Sequence, residues 1–330
     1  MSESFTKALD HITSNEPLQP RYLYGFSVIS KKSLAEFQTK WPQIATPRRQ
    51  QIMKNLVEIA EHSFEVDFDP IFILGLNDPD AEVQTSAVEG LWENSDPALI
   101  PLLVHLLKTG QTVKLRTVTA QALGRYIYLG ELEEIDRTAI MVAEQALLRC
   151  IRQGDEDLEV RRRAIEAIAY SGQEGVAQII ENAYYHEDER MQVSAIFAMG
   201  RSSDSKKWEK IVLSELDNPD APIRFEAVRA AGELQLASTV HKLIAIVHQE
   251  ADSEIQQSAI WSLGQIGGNE ARDILESLLD SPEESISSAA EEAMDELMLW
   301  SGDLDELFSY TIGVDDDDDD DIHIIDLNGA

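Results

Sequence analysis

The sequence predicts an all-α fold in which about eight two-helix units stack as an α-solenoid, and three observations carry that expectation. First, one 10-residue phrase recurs: an apolar residue, often Arg or Gln next, a small residue at +4 and an apolar residue at +8. It starts at Val83, Leu115, Val160, Met191, Ile223, Ile255 and Ile286, with a looser copy at Ile52. Second, successive starts lie 31, 32, 45, 31, 32, 32 and 31 residues apart, so a period of about 32 runs through with one insertion of about 13. A fixed period of this size marks an array whose units bury their apolar faces only against their neighbours. Third, at 100° per residue the apolar offsets 0, +4, +5 and +8 fall on one side of a helix.

Residues 1–20 are expected to be mostly disordered. Residues 21–45, with the aromatic stretch from Tyr22 to Val28 and a short helical pattern from Ser33 to Trp41, read as an N-terminal cap, and residues 46–300 as the repeat array. Thr46 and Pro47 suit the cap and first residue of the helix carrying Ile52, since a first turn leaves the N–H that proline lacks unused. The first helix of a unit is seen in Ala98 to Lys108, apolar at helical spacing and closed by Gly110. Asn77-Asp78-Pro79-Asp80, Asp217-Asn218-Pro219-Asp220 and Ser281-Pro282-Glu283 then place side-chain acceptors beside a proline, where the next helix needs partners for its first N–H groups.

Inside the second helix, offset +4 holds Leu56, Ala87, Thr119, Ala164, Ala195, Ala227, Ala259 and Ala290, mostly small residues that let helices approach closely. Gly124, Gly200, Gly232 and Gly264, nine residues after their anchors, are expected to end helices in a left-handed residue or else to permit close packing. Arg116, Arg161 and Arg224, directly after theirs, are expected to pair with carboxylates of the preceding turn. The extra residues, Leu129 to Ile140, predict a longer loop and an extended first helix. In the last unit offset +5, apolar in the units before it, becomes Glu291, the mark of a terminal cap. Residues 301–330 hold 11 carboxylates and no Lys or Arg, with seven consecutive Asp from Asp315 to Asp321, and read as a disordered acidic tail.

The short period and the Val/Ile-Arg-x-x-Ala-x-x-Ala-Leu-Gly form of the phrase resemble the HEAT-repeat family over about residues 45–298, and most of all its bacterial subgroup named for phycobilin lyases. That resemblance implies a right-handed α-solenoid with first helices on the convex face and second helices lining the concave face. Members serve as adaptors and scaffolds, a minority are chromophore lyases or isomerases, and a related eukaryotic group hydroxylates a modified lysine at a di-iron centre. The last activity requires several His-Glu pairs on repeat helices, whereas this chain has only His186-Glu187, placed in a turn.

Composition narrows the partner. Lys plus Arg number 27 against 61 Asp plus Glu, a formal charge of −34, which disfavours nucleic acid and anionic membrane because both reward clustered cations. A protein or peptide partner of basic character, bound by a monomer, is the expectation. The single cysteine, Cys150, sits among Ala146, Leu147 and Ile151 and reads as a buried structural thiol. No leader or membrane-spanning stretch is evident, so a cytoplasmic, reducing location is expected. The seven histidines show no metal spacing, and no phosphate loop or nucleophile elbow is present, so no catalytic residue, cofactor or metal is assigned. The expected function is that of a non-catalytic scaffold or adaptor binding a protein or peptide on the concave face. The alternative is a chromophore lyase-like or chaperone-like protein acting on a modified acceptor.

Offsets +2 and +6 point away from the buried side of the second helix. They are polar at first (Thr85 and Glu89, Thr117 and Gln121, Arg162 and Glu166), then become Val193 and Phe197, Phe225 and Arg229, Gln257 and Trp261. Large apolar residues interleaved with arginine on an outward column have the composition of binding hot spots, so Val193, Phe197, Arg201, Phe225, Arg229 and Trp261 are the candidate partner-binding residues. Leu307, Phe308 and Tyr310 beside the Asp run make the tail a candidate docking peptide.

Overall fold

The computed structural model of the chain describes residues 3–301, so the expectations for the tail, including Leu307, Phe308 and Tyr310, lie outside the described residues. Among the described residues every regular element is a helix. The N-terminal part comprises α1 (Glu3–Thr13), a 3-10 turn (Pro20–Phe26), α2 (Lys31–Lys40) and a second 3-10 turn (Trp41–Gln43), followed by α3 (Thr46–Glu61). Helix pairs follow: α4 (Asp69–Gly75) with α5 (Ala81–Gly90), α6 (Ile100–Thr109) with α7 (Val113–Glu131), α8 (Arg137–Arg152) with α9 (Leu158–Ile168), and α10 (Val176–Tyr184) with α11 (Glu189–Arg201). Then come α12 (Ser205–Glu215) with α13 (Ala221–Glu233), α14 (Val240–Gln249) with α15 (Ser253–Ile266), and α16 (Asn269–Leu279) with α17 (Glu284–Ser301). The chain forms two compact units, Met1–Trp208 and Glu209–Ala330. In the first, α3, α5, α7, α9 and α11 pack side by side; in the second, α13, α15 and α17 do so, backed by α14 and α16. This is an α-solenoid of two-helix repeats.

The repeated phrase builds the core of both units. Offsets 0, +4, +5 and +8 are buried from Val83, Ala87, Val88 and Leu91 through Ile255, Ala259, Ile260 and Leu263. Glu291, in place of the apolar +5 residue, is exposed. Three residues before six of the eight anchors a side chain caps the helix: Asp80, Thr112, Asp157, Asp188, Asp220 and Asp252 each accept a first-turn N–H. A capping acceptor of this kind is worth about 1 kcal/mol, because otherwise that N–H would lose its partner on folding.

In five repeats the residue after the anchor ties its helix to the turn before it or to the last turn of the preceding helix. Gln84 donates to Leu76 O at 3.1 Å, Arg116 to Gly110 O at 2.9 Å, Gln192 to His186 O at 2.8 Å, Arg224 to Asn218 O at 2.7 Å and Gln256 to Val247 O at 2.6 Å. The arginines do more. Arg116 also binds Glu156 at 3.0 Å and Arg224 binds Glu250 at 2.7 Å, so their carboxylates come from the following turn and not, as expected, from the preceding one. The preceding turn is already folded back on its own helix and offers a carbonyl. The Nε atoms of Arg116 and Arg161 are buried without a partner among the described residues.

The +9 glycines do not end helices. Gly124, Gly232 and Gly264 lie inside α7, α13 and α15, and a Cβ added to them would sit 2.8 Å from Ala167 Cα, 2.8 Å from Ser262 Cα and 2.7 Å from Ala293 O. All three neighbours occupy offset +7 of the next second helix, so glycine is needed there for close approach.

Residues 1–20 are not disordered throughout. Helix α1 buries Phe5, Ala8, Leu9 and Ile12, whose i, i+3, i+4, i+7 spacing makes one apolar stripe. A run of ring contacts, Phe5 to Phe26, Phe26 to Phe37 and Phe37 to Trp41, carries the cap inward, and Trp41 Nε1 donates to the buried Asp78 at 2.7 Å. Arg48 clamps the end of α1, donating to Ile12 O, His11 O and Glu16 O at 2.7–2.8 Å. The insertion lengthens α7 to 19 residues and α8 to 16. Glu144 of α8 is fully buried and accepts from Ser171 Oγ and Gln173 Nε2, with Arg137 at 3.1 Å.

Candidate functional site

Each unit carries a groove on its second helices. In the first, Gly124 brings α7 against Ala167 of α9, so small residues make a floor and the larger residues around them stand up as walls. Tyr128 and Tyr170 face each other at 5.2 Å between ring centres, Phe197 of α11 closes one side, and the cavity holds about 240 Å³. Its polar rim is internally paired. Arg163 binds Glu166 at 2.8 Å and Glu159 at 3.2 Å, Ser194 donates to Glu166 at 2.6 Å, and Arg162 donates to Ser194 at 3.0 Å. Arg125 donates to the carbonyls of Trp92, Asn94 and Leu91. Burial holds the Arg125 guanidinium below its ordinary pKa, and burial likewise pushes the neighbouring Tyr126 hydroxyl up to about 12.

In the second unit, Gly232 brings α13 against Ser262 of α15, and beside that approach lies a groove of about 390 Å³ lined by Phe225, Arg229, Glu254, Gln257, Ser258 and Trp261. The Arg229 guanidinium lies 6.0 Å from the Phe225 ring centre and 5.9 Å from that of Trp261. Within the described residues Arg229 makes no ion pair; its contacts are the two π faces, which fix the guanidinium plane by cation–π attraction.

Of the residues singled out from sequence, the structure brings Phe225, Arg229 and Trp261 together in the second unit and stacks Arg201 on Phe197 at 5.2 Å in the first. Val193 is half-buried on α11 and outside the groove lining. The outward column is less open than its angle implies. Thr85 is fully buried and donates to Ala81 O, and Glu166 is buried, because each second helix is flanked by another on either side. Tyr128 and Tyr170 escaped the sequence reading since they lie 13 and 10 residues after their anchors, beyond the phrase. The sign of them was the apolar pattern continuing past Gly124 into the insertion.

Neither groove holds a reactive constellation. Cys150 is buried, and burial pushes its thiol up to about 12. His186 uses Nδ1 to accept Asp188 N–H at 3.0 Å, a turn contact. Among the described residues no three His, Cys, Asp or Glu side chains are grouped to hold a metal, and no helix is long and apolar enough to cross a membrane.

Residues 209–295 match the family model of HEAT repeats. No curated protein matches the chain in sequence. Among solved structures, the CpcE–CpcF complex of phycocyanin lyase from Nostoc sp. PCC7120 is similar at a TM-score of 0.51 and 16% identity, covering 86% of this chain and 97% of that one. An engineered protein is similar at a TM-score of 0.41 and 17% identity, covering 88% of this chain and 87% of that one. Kap95p, solved with RanGDP, gives 0.49 and 12%, with 93% of this chain spanning 46% of that one. Residues 209–295 are thus similar to HEAT repeats, and the same phrase and paired helices recur before them in the chain.

Proposed function

We propose that the protein is a non-catalytic scaffold that binds a protein or peptide partner on its second-helix face, with Phe197 and Arg201 contributing in the first unit and Phe225, Arg229 and Trp261 in the second. The observation that carries this is the Phe225–Arg229–Trp261 arrangement, an arginine that makes no ion pair among the described residues and lies beside two rings in an open groove. Aromatic and arginine side chains in such settings dominate binding energies, because they desolvate large area with few rotatable bonds. The formal charge of −34 supports a partner of basic character. The lyase-like alternative has only a shared fold behind it. It is tested by co-expression with a bilin and its acceptor, in which new visible absorbance would favour it.

The scaffold reading is tested by capture from native lysate with the intact chain and with Phe197→Ala, Phe225→Ala and Trp261→Ala. Each variant is expected to weaken capture by about 1 kcal/mol or more, roughly five-fold, with thermal melts moved less than by substitutions at the fully buried Leu263. Melts lowered with capture unchanged would make these residues core and overturn the site.

A further inference from the structure

The first-unit groove has walls of one chemistry and a rim of another, and together they define what it can hold. Tyr128 and Tyr170 meet at 5.2 Å with 58° between their planes, so they make a V on which no ring lies flat against both, and Phe197 stands beside them. Stacking on one ring and edge contact with the next is the arrangement a further aromatic ring prefers. The charged groups lining the pocket are Arg125, Arg163 and Glu166. Arg162 and Arg163 share Glu159 and Glu166, two cations against two carboxylates. Arg125 instead donates to the carbonyls of Leu91, Trp92 and Asn94 and has no carboxylate at ion-pair distance among the described residues. We infer that this pocket receives one tryptophan side chain of the partner, with its rings between the tyrosines and Phe197 and its indole N–H on the Glu166 carboxylate.

Size, charge and rigidity select this occupant. A dry apolar cavity of about 150 Å³ takes benzene. The 240 Å³ here exceed one six-membered ring and suit the two fused rings of indole. The uncompensated Arg125 disfavours Lys and Arg inside the pocket, and it favours the π face that attracts cations most, that of Trp. Glu166 is buried, and its two oxygens accept from Arg163 and Ser194, one bond each. A carboxylate offers about four lone-pair sites, so an acceptor remains for an N–H that would otherwise lose its partner on entering. A Phe ring makes no use of that acceptor. The wall is also fixed before anything binds. Ser171 and Gln173, directly after Tyr170, donate to the fully buried Glu144, and Gly172 N–H donates at 3.2 Å to Glu131, three residues after Tyr128. Arg137 joins the two carboxylates, at 2.8 Å from Glu131 and 3.1 Å from Glu144. The insertion therefore ties both tyrosines to one network, and a preformed wall leaves less to be ordered on binding.

The inference rests on the partner-binding reading of this groove, and its test begins without the partner. N-acetyltryptophanamide is titrated into the intact chain and followed by ligand-observed NMR, beside the acetyl amides of Phe, Leu, Lys and Glu. It is expected to saturate with a Kd of about 0.1–10 mM, the range for a ligand of this size. The Phe amide should bind about five-fold more weakly for want of the N–H bond, and the Lys amide should not bind. The 1-methylindole analogue, which keeps both rings and lacks the N–H, should be weakened about as much as the Phe amide. Tyr128→Ala, at an exposed position, and Phe197→Ala, at a half-buried one, should each weaken the tryptophan amide about five-fold or more with thermal melts unaltered for Tyr128→Ala. Phe225→Ala and Trp261→Ala in the second unit should leave its affinity unchanged. No saturation below about 10 mM, equal binding of the Leu, Lys or Glu amide, or indifference to Tyr128→Ala overturns the pocket. Full affinity for the 1-methyl analogue overturns the bond to Glu166. Indole bound as expected, with lysate capture unchanged in the Tyr128→Ala chain, overturns use of the pocket by the partner.

Discussion

At the scale of single residues, the unit repeats because glycine and alanine repeat. A methyl group on Gly264 would lie 2.7 Å from Ala293 O and 2.9 Å from its Cβ, both parts of a helix that cannot swing aside as a side-chain tip can. Helix propensity favours Ala over Gly by about 1 kcal/mol, while forcing α15 from α17 costs about 1–3 kcal/mol. The steric cost outweighs the propensity gain, so Gly264→Ala should destabilise the chain by about 1–2 kcal/mol in urea melts. Gly154, with nothing near its missing Cβ, is the control, and its alanine variant should change stability by less than about 0.5 kcal/mol. A stabilised Gly264→Ala protein would show that the two helices separate at little cost. The +9 glycines could be read in sequence as helix ends or as contacts. Only the length of α15, which continues to Ile266, decides between them.

At the scale of the element, the helix pair is held to its turn by one side chain that varies in kind but not in task. Gln84, Gln192 and Gln256 do with an amide what Arg116 and Arg224 do with one arm of a guanidinium. Arg224→Gln should therefore keep the bond to Asn218 O and lose the pair with Glu250, costing about 1 kcal/mol, whereas Arg224→Leu should lose both and cost about 2–3 kcal/mol. Equal losses would mean that the carbonyl bond contributes nothing. Arg224 also holds the Glu250 carboxyl below the usual range by hydrogen bonding. Such a group adds stability above its unfolded pKa and surrenders it as pH falls through the folded one, so the difference between the natural chain and Arg224→Gln should shrink in acid. The phrase made the second helices legible because their apolar offsets, their caps and their tie to the turn all lie within ten residues of one another. Helix α1 was hidden by brevity, although Phe5, Ala8, Leu9 and Ile12 already had helical spacing. The Tyr128–Tyr170 wall was hidden for a different reason: it depends on how far α7 extends into an insertion that has no counterpart in the other units.

At the scale of the whole molecule, charge decides more than any one contact. Even if each of the 27 cations were paired, 34 of the 61 carboxylates would remain uncompensated, so repulsion among them opposes folding. The ion pairs that are present are local, as between Arg163 and Glu159 or Lys242 and Asp217, and exposed pairs of this kind contribute only about 0–1 kcal/mol each. Screening weakens both terms, but repulsion acts over many longer distances and falls more when the Debye length shortens from about 20 Å to about 6 Å. Raising sodium chloride from about 20 to about 300 mM should therefore raise the melting temperature by about 2–5 °C, on the scale of 1 kcal/mol for a chain of this size. The same change should weaken a basic partner while leaving the burial of Phe225 and Trp261 against it in place, so binding should fall with salt to a plateau and not to zero. Binding that vanishes in salt would assign the partner to the surface carboxylates and remove the aromatic grooves from the interface.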